Sequence, residues 1–106
     1  MTALRPKPQR PAISYISLRA NEAGRSIDVG DAAEVVFEVS GRLGQHKPAE
    51  VVIEGSERGV VWVPLASRSS VGSGVLYEHP SLLRPRIDGG DLGTAVHVRI
   101  AAGRDA

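Results

Sequence analysis

The sequence predicts an all-β protein, an antiparallel β-sandwich or small barrel of about seven or eight short strands. Three observations carry this. Segments with period-two hydrophobicity recur at regular spacing along the 106 residues, Gly-rich turns separate them, and no stretch sustains a helical period. Only "NEAG" and "PSLL" are suited to a single turn of helix.

Taken in order, "AISYISLRA" (12–20) reads as a first strand and "RSIDVG" (25–30) as a short second one. "AEVVFEVSG" (33–41) alternates cleanly, with Val35, Phe37 and Val39 on one face and Glu34, Val36, Glu38 and Ser40 on the other. That half-polar alternation marks an antiparallel strand covering a core. "AEVVIEGS" (49–56) and "GVVWVPLA" (59–66) follow, joined through "GSERG", a Gly-bounded hairpin turn. "GVLYEH" (74–79), "LLRPRID" (82–88) and "TAVHVRIAA" (94–102) complete the set, with Val96, Val98 and Ile100 opposite His97 and Arg99 in the last. Pro64 and Pro85 fall inside strand runs and belong on edges or at bulges, because proline cannot donate to a ladder.

The chain has one Trp, on the run 59–66, where alternation puts it on the same face as Val60. As the largest apolar block available it is expected to anchor the core between the sheets, together with Phe37, Tyr77 and Val98. The rival expectation is an exposed Trp62 that stacks on a sugar or a partner.

Composition limits the rest. The length is that of one domain, and 42% hydrophobic residues with only 4% aromatics imply a core filled by Val, Ile, Leu and Ala. A net charge of +1 with 24% charged residues argues against disorder and against a strongly basic binding protein. Cysteine is absent, so disulfides and Cys-based metal sites are excluded. The apolar runs are too short for a membrane helix, and "MTALRPKPQRP" lacks the apolar centre of a secretory signal. The expectation is a protein made in a reducing cytoplasm.

The charge is unevenly placed. Residues 1–19 hold Arg5, Lys7, Arg10 and Arg19 and no acid, whereas the other nine basic residues face all twelve acids. Residues 1–11 also hold Pro6, Pro8 and Pro11, three of the seven prolines. The division expected is an extended, basic, Pro-rich arm (1–11) ahead of a sandwich domain (12–106), the arm being a plausible cover for a sheet edge.

Six stretches, Val39 to Gly41, Val51 to Ser56, Trp62 to Leu65, Gly74 to Tyr77, Leu83 to Ile87 and Gly93 to Val98, follow one another in an order and spacing that resembles small Ig-like proteins of tailed bacteriophage particles. The likeness covers roughly residues 35 to 100. It departs at "SERG" (56–59), where the pattern usually has Asp-Gly-Gly, and at Pro85. The resemblance implies an Ig-like sandwich and a virion accessory role: capsid decoration, cement, or a connector or fibre module.

The chemistry-bearing residues make no catalytic pattern. His46, His79 and His97 lack metal-ligand spacing, and Ser67, Ser69 and Ser70 sit in "ASRSSVGSG", read as a polar loop without a nucleophile elbow. "DGGD" (88–91) is read as a turn before it is read as a calcium site, and no glycine-rich phosphate cradle is present. No enzyme activity, cofactor or metal is therefore expected. In the arm, Arg5, Lys7 and Arg10 suit an acidic neighbouring subunit. Nucleic acid is disfavoured because no aromatic residues interleave them.

The function expected is a non-enzymatic structural component of a phage particle. It would bind the major capsid shell or a head–tail connector in many copies, through the arm and a sheet edge, with a homo-oligomer or repeated subunit as its state. Leu4, Arg5, Pro6, Lys7, Pro8, Arg10 and Ile13 are the partner-binding residues expected, Leu4 and Ile13 being the apolar anchors. The alternatives are a carbohydrate- or receptor-binding sandwich using loops 67–73 and 88–93, and a small cytoplasmic interaction domain.

Overall fold

The computed structural model describes residues 12–103. Eight strands form: β1 (Ala12–Leu18), β2 (Ile27–Asp28), β3 (Glu34–Arg42), β4 (Ala49–Ser56), β5 (Val63–Arg68), β6 (Gly72–Leu76), β7 (Leu82–Gly89) and β8 (Ala95–Gly103). They make two antiparallel four-stranded sheets, ordered β1-β8-β3-β6 and β2-β7-β4-β5, and no helix forms among the described residues. The molecule is the β-sandwich that the alternation predicts.

The strand order within the sandwich is the double Greek key of a jelly roll. It differs from immunoglobulin order, in which the first two strands share a sheet; here β1 and β2 lie in opposite sheets. Of the seven connections only β4–β5 stays within one sheet, and the other six cross from one to the other. Period two assigns each residue to a face but says nothing about which sheet a strand joins, so the Ig-like order drawn from the resemblance gives way to the observed one.

The core lies between the sheets. β3 contributes Val35, Phe37 and Val39, β8 contributes Val96, Val98 and Ile100, and the opposing sheet supplies Val51, Ile53, Leu83 and Ile87. Ile16 and Leu18 of β1 close one side. Phe37 faces Gly74 across the β3–β6 ladder, and its ring occupies the space a side chain at Gly74 would need. At the far end of β3, Gly41 takes φ +96°, and a Cβ there would meet the Ala95 carbonyl oxygen, so only glycine fits.

The two strand prolines are accommodated differently. Pro64 lies on the edge strand β5, beside a bulge: Ile53 pairs Ala66 and Glu54 pairs Pro64, leaving Leu65 as the extra residue. Pro85 is neither at an edge nor at a bulge; it is buried in the inner strand β7. Its carbonyl accepts from Gly24 N–H at 2.7 Å, and Ile87 N–H donates to the Glu22 carbonyl at 2.8 Å. The missing donor of Pro85 therefore points at the irregular segment 22–24, where β2 has not yet begun, and the register of β7 with β4 continues unbroken past it.

Two further expectations are corrected. The run 59–66 is not one strand: residues 57–62 form a connection and β5 begins at Val63. "ASRSSVGSG" is not one loop: it holds the end of β5, a three-residue crossing and the start of β6. Arg68 organises that crossing by donating to the carbonyls of Ser70, Val71 and Ser73 at 3.3, 3.3 and 3.0 Å.

Candidate functional site

The seven connections gather at two ends of the sandwich, and the two ends differ in character. One end carries the β2–β3, β4–β5 and β6–β7 connections. There Ser56 Oγ accepts from Gly59 N–H at 2.8 Å and turns the chain out of β4. Gly55, lacking a side chain, lets Leu65 and Pro80 close in on the strand; a Cβ would stand 2.6 Å from each. The His79 ring lies between the carbonyls of Pro80 and Ala32, 2.8 Å from each nitrogen, and ties two of the connections together. On this braced base the β4–β5 connection presents Val60, 81% exposed, and Val61, 72% exposed, next to the half-exposed Val63. With Pro80 and Arg58 they line an open groove of about 450 Å³.

The outer face of β4 and β7 carries a charge lattice. Glu54 is buried although it points away from the core, because Arg84 and Arg86 of β7 close over it. Arg84 Nε donates to Glu54 Oε1 at 2.9 Å, Arg86 Nε lies 3.4 Å from Oε2, and Arg86 Nη1 lies 3.8 Å from Asp88 Oδ2. The Arg84 guanidinium sits 4.3 Å from the centroid of the Trp62 ring. Trp62 is thus not a core anchor. Its position ahead of β5 places it on the outer face as the lid of an ion pair, a cation–π contact with one flank in water.

The opposite end is held by Asp91. Its Oδ2 accepts from the backbone N–H groups of Gln45, His46 and Lys47 at 3.0, 2.6 and 2.9 Å, and its Oδ1 from Gly93 N–H at 2.8 Å. Thr94 Oγ1 donates to the Leu43 carbonyl at 2.6 Å and accepts from Asp91 N–H at 2.9 Å. The N–H groups of His46 and Lys47 hold the Asp91 carboxyl well below the usual carboxylate range, with smaller help from Gly93 and Gln45. A depressed folded-state pKa gives stability that is complete above the ordinary value of 3.8 and lost as pH falls toward the folded value. Acid titration of the melting temperature is accordingly expected to bend downward below that pH. Asp91→Asn, which cannot carry the charge, is expected to melt lower at neutral pH and to show a shallower acid slope. Equal slopes for the two proteins would remove Asp91 from the account.

Of the residues expected to act, Leu4, Arg5, Pro6, Lys7, Pro8 and Arg10 lie outside the described residues, as does the arm as a whole. Ile13 is half-exposed on the edge strand β1. Phe37 and Val98 are buried in the core. Tyr77 is 71% exposed, a second correction: Leu76 is the inward residue, so the next position points out. Ser17 Oγ and His97 Nδ1 lie 2.9 Å apart as cross-strand neighbours on an exposed face. Among the described residues no group of three His, Asp or Glu side chains could hold a metal ion. The residues that sequence reasoning missed are Val60, Val61 and Val63, read as the interior of a strand; the signal available was the Gly59 just before them. Asp91 was named only as part of a turn.

No family model, curated protein or solved structure matches the chain.

Proposed function

We propose that the protein is a non-enzymatic docking module, a structural subunit of a tailed-phage particle that binds the major capsid shell or a connector ring in many copies. The observation that carries the docking reading is the valine end: Val60, Val61 and Val63 stand on a connection braced by Ser56, Gly55 and His79 and rim an apolar groove. Contiguous exposed apolar surface on a soluble domain marks an interaction site. The particle as address rests on the resemblance over roughly residues 35 to 100. It is compatible with a jelly-roll sandwich, an architecture that serves capsid and lectin domains alike. The arm, with Leu4 and the basic residues Arg5, Lys7 and Arg10, adds reach to such a contact.

A glycan-binding reading has less to stand on. Of the two rings it would use, Trp62 already has the Arg84 guanidinium over it, which leaves Tyr77 alone exposed.

The test is quantitative protein mass spectrometry of purified particles carrying either the natural chain or V60D/V61D. The natural chain is expected at a fixed ratio to the major shell or connector protein. Loss of two buried valines removes about 2–3 kcal/mol from the contact, a roughly 30- to 150-fold drop in affinity. The variant should therefore be depleted from particles while its melting temperature is unchanged. Absence of the natural chain from particles sinks the virion address, and full retention of the variant sinks the valine end.

A further inference from the structure

The outer face of the sheet β1-β8-β3-β6 is unusual for a surface facing water. The registers align Ile13 with Ala101, Ala101 with Val36, and Val36 with Val75, so one apolar row crosses all four strands. Both tyrosines of the chain stand exposed on this face, Tyr15 (69%) on β1 and Tyr77 (71%) just past β6. A diagonal from one ring to the other passes over Ala101 and Val36. Glu34 and Glu38 of β3 flank that diagonal, one on each side, and Arg99 is the one Lys or Arg on the outward positions beside it.

We propose that this face receives the basic, Pro-rich N-terminal segment of a second copy of the chain. Three properties of that segment match the face. Exposed aromatic rings set on an apolar floor are the surface on which polyproline segments dock. Arg5, Lys7 and Arg10 complement Glu34 and Glu38. The lengths also agree: three strand spacings across and four residues along put the two rings about 19 Å apart, and residues 4–11 at about 3.1 Å each span about 22 Å.

The donor is a second copy for a reason of chain direction. β1 starts at the valine end and runs away from it, so a segment that continued the line of the strand ahead of Ala12 would extend past that end and not over its own sheet. Between residues 5 and 11 every position but Gln9 is a proline or precedes one, which favours extended dihedrals and opposes a reversal. Size points the same way. The exposed apolar surface of one face is on the order of 400 Å², half of the roughly 800 Å² per partner of a standard interface. A reciprocal exchange, each copy giving its segment and offering its face, supplies two such contacts.

Sedimentation equilibrium of the full chain over a wide concentration range tests this. The natural chain is expected to self-associate with concentration. Y15S/Y77S, E34K/E38K and R5E/K7E/R10E should each raise the dissociation constant roughly tenfold or more, the value of one lost anchor contact, at unchanged melting temperature. Combining E34K/E38K with R5E/K7E/R10E should restore association, because the charges are exchanged and not merely removed. A natural chain that stays monomeric throughout overturns the proposal, including the case of a segment lying on its own domain. So does self-association indifferent to these substitutions, or abolished by V60D/V61D alone, which would move the contact to the valine end.

Discussion

Phe37→Ala is expected to cost about 3–5 kcal/mol, the largest effect of any single substitution considered for this protein. Phe37 is the one phenylalanine of the chain and is 3% exposed. Its neighbours across the ladders are Ile100 on one side and Gly74 on the other. The glycine offers nothing to fill the space, because the Phe37 ring already lies over its backbone. Removing the ring leaves a cavity with one wall of bare main chain, and the aliphatic residues around it cannot collapse far without pulling β3 off β8. For a domain of this size the melting temperature should fall by roughly 15 °C or more. Urea unfolding should show a lower midpoint with the slope unchanged. A loss below about 1 kcal/mol would mean that the core repacks freely, against the close fit described.

Glu54→Ala is expected to cost about 2 kcal/mol, by a different route. Nothing is lost from the core. The substitution removes the acceptor shared by Arg84 and Arg86 and leaves two guanidinium groups side by side on β7. Both arginines are about one-third exposed, so water relieves part of the penalty, which holds the figure below that of a fully buried pair. Arg84 then loses the contact that keeps it over Trp62. Because the chain has a single Trp, the emission spectrum reports this site alone. A red shift in the folded variant, at temperatures well below its melting, is the expected signature. Glu54→Gln retains the shape and an acceptor and should fall between the two. An Ala variant as stable as the natural protein, with unmoved emission, would falsify the coupling of Trp62 to the ion pair.

Strand content was legible where alternation was clean. In β3 and β8 the buried positions are apolar and the outward ones, Val36 apart, are polar or small, and the observed faces follow that pattern. It was misleading where β-branched residues crowd together. Val60, Val61 and Val63 have the composition of a strand interior, yet two of them lie in a connection, and the parity of Trp62 counted from that false start came out reversed. It was partial where Ser and Gly dominate: the expected strand 74–79 caught Gly74–Leu76 of β6, but Gly72 and Ser73 were read as loop, because their strand character comes from pairing with β3 and not from their own propensity. The Asp91 knot was out of reach for another reason. Its partners are the backbone amides of residues 45–47, more than forty positions earlier, and main-chain donors leave no mark in a sequence. The valine end fell to the first of these difficulties, which is why its exposed valines went unread.

The position of β8 has a consequence for how the molecule comes into being. β8 lies between β1 and β3, so the first strand reaches the rest of its sheet only through the last one; Ser17 and His97, neighbours in the finished ladder, are 80 residues apart. On a ribosome, β1 therefore emerges long before it has anything to pair with, and the flank that β8 will cover stays open until residues 95–103 have been made. Contacts of such sequence separation fold slowly, because the chain between them must be closed first. During that interval Ile16 and Leu18, which the finished core buries, are bare beside the already exposed Ile13 and Tyr15. A stalled or truncated chain that stops at β7 is for this reason expected to aggregate or be degraded rather than accumulate as a partly built sandwich.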